Sequence, residues 1–209
     1  STLLLGLMRL LPAGGRIAAG RVEFEGRDLA RLSEAELNQV RWKEIALIFQ
    51  GAMNALNPVQ PVGDQLDEAL RRHLPGLDRA ARQRRIAELF GQVGLAAGRR
   101  NDYPHQYSGG MRQRALIALA LACRPRVLCA DEPTTALDVV VQAQILQLLD
   151  QLRRELGLAV ILVTHDLGTV AQVCDRVLVM YGGALAEQAG VQALFDQPRH
   201  PYTRALLEA

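Results

Sequence analysis

The stretch Tyr107–Asp138, YSGGMRQRALIALALACRPRVLCADEPTTALD, decides how the rest of this 209-residue chain is read. At its front, Ser108, Gly109 and Gly110 stand where a helix starts. Serine is a favoured N-cap, and Met111, Ala115, Ala118, Leu119 and Ala122 recur behind it at helical spacing, with Pro125 expected to stop the helix. Such a start offers unpaired N–H groups, the positive end of a helix dipole, and two glycines that let an oxyanion approach the backbone. At its back, Val127–Ala130 is a short apolar run that reads as a buried parallel strand, followed by Asp131, Glu132 and Pro133. Two adjacent carboxylates at a strand's C-terminal edge are costly unless a cation or a proton-transfer task keeps them there. Asp131 is placed to hold the hydration shell of Mg²⁺, and Glu132 to take a proton from an attacking water.

Taken singly, SGG is commonly a turn, and an acidic pair after a strand is commonly a solvated loop. In the order SGGMRQR, helix, apolar strand, DEP and TALD, they resemble the ATP-binding cassette (ABC) ATPases. The resemblance implies that Ser108, Gly109, Gly110 and Gln113 belong to the signature motif and that the strand with Asp131 is the Walker B motif. It likewise implies that Glu132 is the catalytic base and that Asp138 closes the D-loop. The implied fold is α/β: a P-loop NTPase-like (RecA-like) core sheet with an inserted α-helical subdomain, of ABC ATPase type.

On the N-terminal side, Leu3–Leu11 is expected to be a helix ended by Pro12, and Arg21–Phe24 an edge-like strand before a Glu25–Gly26 turn. STLLLGLMRLLP is similar to the helix that the family's phosphate loop, GxxGxGK(S/T), runs into. On that reading the Ser1 hydroxyl ligates Mg²⁺ and Thr2 lies beside the phosphates. The glycines and lysine of that loop are not among the 209 residues, and the only lysine, Lys43, follows Arg41-Trp42 with no glycines before it. Ser33 with Glu36 makes a capping box for a helix to about Val40. Ile45–Phe49 is a continuous apolar strand, and Gln50 at its end matches the family's Q-loop glutamine, which reaches Mg²⁺ and the attacking water. Met53–Gly63, with Pro58 and Pro61, has no periodicity and reads as a loop. Two helices are expected next, Val62–His73 and Asp78–Val93, separated by Pro75-Gly76.

On the C-terminal side, Asp138 is a candidate N-cap for an amphipathic helix with Ile145, Leu148, Leu149, Leu152 and Leu156 on one face, closed by Gly157. Ala159–Val163 reads as another buried strand, ending in Thr164-His165-Asp166; by its place, His165 resembles the family's switch histidine at the γ-phosphate. Arg176–Met180 and Ala184–Gln188 are the last strands, and Val191–Phe195 and Tyr202–Leu207 are short terminal helices. The domain expectation is a single ABC ATPase domain, with a core over 1–50 and 121–190, a helical subdomain over about 51–120, and C-terminal helices over 191–209. The domain is expected to continue beyond both ends of the sequence.

With 24 basic and 22 acidic residues the net charge is +2, which argues against a polyanion surface; the Arg71–Arg100 stretch, interrupted by Asp78 and Glu88, reads as a solvated helix face, so no nucleic-acid partner is expected. Cys123, Cys129 and Cys174 have no CxxC spacing and read as buried thiols. No apolar run reaches the ~20 residues that span a bilayer. HPYTRALL, from His200, and NALNPV, after Gln50, are similar to the ATPases of oligopeptide, dipeptide and nickel importers. That resemblance implies an ATP- and Mg²⁺-dependent ATPase subunit, paired with a second ABC ATPase subunit and with ATP sandwiched between them. It also implies docking on transmembrane permease subunits at the cytoplasmic face of the membrane, with an extracytoplasmic substrate-binding protein reached indirectly. A soluble, non-transport ABC ATPase and a catalytically incompetent cassette are the alternatives. Because the phosphate-loop glycines and lysine are not in the sequence, the 209 residues alone are expected to bind ATP weakly and to turn it over negligibly. Calorimetry on this chain checks that expectation, and a micromolar affinity would overturn it.

Overall fold

The computed structural model describes residues 1–51 and 55–208, in two compact units, Ser1–Val163 and Thr164–Ala209. The parts of the Met53–Gly63 and NALNPV expectations that fall on Met53 and Asn54 lie outside the described residues.

The first unit is built on three parallel strands in the order β3-β4-β5: β3 (Ile45–Ile48), β4 (Val127–Asp131) and β5 (Ala159–Val163). All three are runs of apolar and β-branched residues, as strands covered by crossover helices require. Ile48 pairs with Ala130, and Asp131 with Val163, so the C-terminal ends of the strands lie side by side. A separate hairpin, β1 (Glu23–Phe24) and β2 (Arg27–Asp28), turns through Glu25 and Gly26, both at positive φ. The strand expected from Arg21 is therefore only its last two residues.

Two apolar clusters flank the sheet. Leu4 and Met8, from α1 (Thr2–Leu7) and its C-cap, meet Leu37 and Val40 from α2 (Glu34–Val40), together with Leu29, Ile45 and Cys129. The larger cluster joins α3 (Val62–His73), α4 (Arg79–Gln92), α5 (Gly109–Ala120) and α6 (Val139–Leu156), with Leu66, Leu70, Ile86, Leu89, Phe90, Ile117 and Ile145 at its centre. The capping box of Ser33 and Glu36 forms, Asp78 caps α4, and Gly157 closes α6 in the left-handed conformation. Cys123 and Cys129 are buried, and burial pushes both thiols up to about 11, so they stay un-ionised near neutral pH.

Three further expectations are corrected. The first helix stops at Leu7, well before Pro12. Arg9 takes φ 50°, its N–H donates to Gly6 O and that of Leu10 to Leu5 O, a Schellman closure that satisfies the last carbonyls. Helix α5 ends at Ala120, ahead of Pro125, and the buried Arg85 guanidinium donates to the Leu121 and Ala122 carbonyls beyond that end. β5 is not fully buried: it pairs on one edge among the described residues, and Ile161 is 40% exposed.

The second unit contains α7 (Leu167–Val173), the antiparallel pair β6 (Arg176–Tyr181) and β7 (Ala184–Gly190), α8 (Val191–Asp196) and α9 (Pro201–Glu208). Its C-terminal segment is tied to β7 by Glu187, whose two carboxylate oxygens accept from Arg199 N (2.9 Å) and His200 N (3.0 Å) just before α9 begins. The buried Thr203 hydroxyl, facing the same carboxylate outside ideal hydrogen-bond geometry, and these two N–H groups hold the Glu187 carboxyl down to about 2. The folded value lies below the ordinary 4.5, so this tether is complete above about pH 4.5 and is lost as the pH falls toward 2. In an NMR acid titration the Arg199 and His200 amides should shift with a midpoint near 2, and Glu187→Gln should abolish that titration. A midpoint at the ordinary carboxylate value would contradict the tether.

Candidate functional site

Parallel pairing builds the site. With Ile48 opposite Ala130, two residues further along each strand bring Gln50 opposite Glu132. The Gln50 amide Nε2 donates to Glu132 Oε2 at 2.8 Å, and its Oε1 lies 3.5 Å from the Ser1 hydroxyl. Asp131, the last residue of β4, is buried at 4% exposure, and its Oδ1 makes no hydrogen bond. The amino nitrogen of Ser1 stands 3.6 Å from that oxygen. Ser1, Gln50, Asp131 and Glu132, singled out from sequence, therefore converge at one strand edge.

A buried carboxylate oxygen without a donor is costly, and a hard cation is what relieves it. The Ser1 hydroxyl, 3.5 Å from the Gln50 amide oxygen, and the Asp131 carboxylate, 3.6 Å from the Ser1 amino nitrogen, are oxygen ligands of the kind Mg²⁺ takes while keeping several waters. The residues present fit that ion. Thr2 opens α1 beside Ser1 and is exposed.

Glu132 leaves the strand in the left-handed region, φ 47°, with its N–H still on Val163 O at 2.9 Å. A non-glycine residue held there is strained and is kept in place by its surroundings. The next turn supplies them: Thr135 N donates to Glu132 O, and the Thr135 hydroxyl donates to Glu132 Oε2 at 3.0 Å. The Gln142 side chain, near the start of α6, donates to Thr134 O at 3.1 Å and ties the same loop to the helix. Sequence reasoning gave Thr135 no role of its own beyond its place in TALD, and did not name Gln142. The signal for Thr135 was its position three residues after Glu132 behind a proline, a spacing at which a turn folds a hydroxyl back onto a carboxylate.

A second group forms where α5 and α6 meet. Ser108 caps α5, its Oγ accepting from Met111 N at 3.3 Å, and Asp138 caps α6, its Oδ1 accepting from Val141 N at 2.9 Å. Gly109 and Gly110 open α5, and a Cβ on Gly110 would stand 2.7 Å from Val141 Cγ1. Close approach of two helices is thus one reason for glycine at 110, independent of any anion. Gln113, one turn on, is 3% exposed, and its Nε2 has no partner. His165 lies on the second unit, in the turn where Asp166 caps α7, and it helps to lower the Asp166 carboxyl after the larger effect of the Thr169 hydroxyl. Of the predicted residues in the first unit, one set falls into the strand-edge group and the other into the α5–α6 group; His165 belongs to the second unit.

The profile of the ABC transporter family matches residues 1–135. The dipeptide transport ATP-binding protein DppD of Bacillus subtilis (strain 168) is 51% identical over 204 residues, 96% of this chain and 61% of that protein. DppD of Escherichia coli (strain K12) is 48% identical over 207 residues, 98% of this chain and 63% of that protein. The oligopeptide transport ATP-binding protein OppD of Salmonella typhimurium (strain LT2) is 49% identical over 205 residues, 97% of this chain and 61% of that protein. The chain thus spans less than two thirds of the length of these relatives. Among solved structures, the ATP-binding cassette MJ0796, in a dimeric post-hydrolysis state bound to ADP and Pi, is similar with a TM-score of 0.77. Its identity to this chain is 29%, over 91% of this chain and 79% of that one.

The cap at Asp138 gives this site a measurable anchor. Asp138→Ala should cost about 1 kcal/mol in urea unfolding, whereas Asp138→Asn, which keeps an acceptor oxygen, should cost much less. Equal losses from the two variants would mean that the cap does not hold the loop.

Proposed function

From the premise that this chain belongs to the ABC transporter family, with its P-loop NTPase fold, we propose that it is the ATP-hydrolysing part of a subunit that energises a peptide importer. The observation that carries this reading is the strand-edge group: a buried Asp131 oxygen without a donor, beside a Glu132 carboxylate gripped by Gln50. The names of the relatives support the substrate class, since dipeptide and oligopeptide transport ATP-binding proteins match nearly the whole of this chain. Nickel is the alternative cargo under the same proposal.

The roles rest on the chemistry of each group. Glu132 takes a proton from the attacking water, and its neighbour Gln50 spans the distance from that carboxylate to Ser1. Ser1, Gln50 and Asp131 would hold Mg²⁺, with Thr2 beside the phosphates; the bound ion supplies charge neutralisation on the β- and γ-phosphates. Ser108, Gly109, Gly110 and Gln113 are proposed to face the nucleotide of a second ABC ATPase subunit, with Asp138 across from its counterpart. An α-helix N-terminus with a serine cap suits a phosphate, and Gln113 lies buried one turn further along the same helix. Closing such a pair excludes water and completes the donor set around the phosphates. The proposed contact of His165 with the γ-phosphate is carried by its sequence position alone.

We read residues of about 51–120, including the α3–α4 hairpin, as the helical subdomain that docks on permease subunits at the cytoplasmic face. Among the described residues no helix is long and apolar enough to cross a membrane, which suits peripheral attachment. An extracytoplasmic binding protein would be reached only through those permeases.

In the full-length gene product, Glu132→Gln should lower ATP turnover by about 10²- to 10⁴-fold while leaving ATP bound in a stable dimer. Single-turnover hydrolysis together with size-exclusion chromatography in ATP and Mg²⁺ measures both. Hydrolysis by this variant at the normal rate would sink the assignment of the base.

A further inference from the structure

We propose that Thr135 is a positioning residue for the hydrolytic step, its hydroxyl holding one oxygen of the Glu132 carboxylate so that the other keeps its aim. The inference rests on the reading of Glu132 as the base that activates water.

Two donors meet on one oxygen. Thr135 Oγ1 at 3.0 Å and Gln50 Nε2 at 2.8 Å both donate to Glu132 Oε2. They reach it from different elements and with different commitments. The Gln50 amide is shared, because its other end faces the Ser1 hydroxyl, so any ligand drawn to Ser1 and Gln50 competes for the orientation of that amide. Thr135 belongs to the same short turn as the carboxylate it serves. That turn is closed by its own N–H on Glu132 O, by Leu137 N on Thr134 O, and by the Gln142 side chain on Thr134 O. The frame fixes where the hydroxyl stands whatever Gln50 does.

Positioning matters at this residue in particular. Glu132 sits at φ 47°, outside the strand geometry that orients Asp131, so the pleat of β4 does not set where its carboxylate points. A hydrogen bond to an ionised group is stronger than a neutral one, and small misplacements of a catalytic group lower rates steeply. Thr135 is exposed in this chain, where water competes for its hydroxyl; the bond strengthens when a second subunit covers the loop and excludes that water.

The test uses steady-state ATP hydrolysis by the full-length gene product, with ATP affinity measured separately by calorimetry in the presence of Mg²⁺. Thr135→Val replaces the hydroxyl with a methyl of similar size. It should lower kcat about tenfold, the loss expected for one charge-assisted hydrogen bond, with KM and the affinity for ATP changed less than about twofold. Thr135→Ser, which restores the donor, should recover kcat to within about twofold of the starting protein. A Thr135→Val enzyme at the original kcat, or a Thr135→Ser enzyme as slow as Thr135→Val, overturns the proposal. If the valine variant does not fold by circular dichroism, Thr135→Ala takes its place under the same criteria. Glu132→Gln, assayed in parallel, separates the two readings. Normal hydrolysis by that variant removes the base itself, whereas its loss beside an unaffected Thr135→Val removes only the positioning role.

Discussion

The structure depends on the parallel pairing of β3 with β4. One register, Ile48 opposite Ala130, aligns the C-terminal ends of two buried strands and so brings an amide and a carboxylate from residues 82 apart in sequence into contact at 2.8 Å. A slip of one residue would reverse which side chains face each flanking layer, so the apolar clusters on either side of the sheet also hold the register. Leu128, buried in the larger cluster, and Cys129, buried in the smaller, are consecutive residues of β4 and point to opposite faces. The polar groups at the strand edge inherit their placement from this apolar packing.

Around that edge the loops are secured by caps and side-chain ties. Asp138 caps α6, Gln142 holds the loop from the helix side, and the hydroxyl of Thr135 folds back on Glu132. These bonds hold Glu132 in a backbone conformation that a side chain seldom adopts. Asp131, one residue earlier and still within the strand, keeps a buried oxygen that accepts no hydrogen bond and has the Ser1 amino nitrogen at 3.6 Å. A backbone outlier and a buried carboxylate oxygen that accepts no hydrogen bond stand side by side here, and the proposed Mg²⁺ would answer the second of them.

Much of this was legible in the sequence. The strands β3 and β4, the capping box at Ser33 and Glu36, the helices α3 and α4, the cap at Asp138 and the stop at Gly157 all arise from local chemistry, and they form as read. Asp131 and Glu132 were named because two adjacent carboxylates follow an apolar run, whereas Gln50 was named through the resemblance to the ABC ATPases. What was not legible depended on tertiary partners. The early end of α1 needs Arg9 in a conformation usually reserved for glycine, and the carbonyls beyond α5 are satisfied by Arg85 from another helix. The exposure of β5 depends on which strands pair with it, which a periodicity cannot reveal. Thr135 was passed over because a hydroxyl in a turn is ordinary until its partner is known to be Glu132.

The central claim, that Glu132 and its neighbours at the β3–β4 edge serve one hydrolytic centre, is tested most directly by a crystal structure of the full-length gene product with Mg²⁺ and a non-hydrolysable ATP analogue. The expected result is a water within about 2.6–3.2 Å of a Glu132 carboxylate oxygen, in line with the γ-phosphate, and Mg²⁺ bound through the Ser1 hydroxyl with Asp131 in its immediate surroundings. A Glu132 side chain turned away from the γ-phosphate, with the ion held by other residues, would contradict the claim.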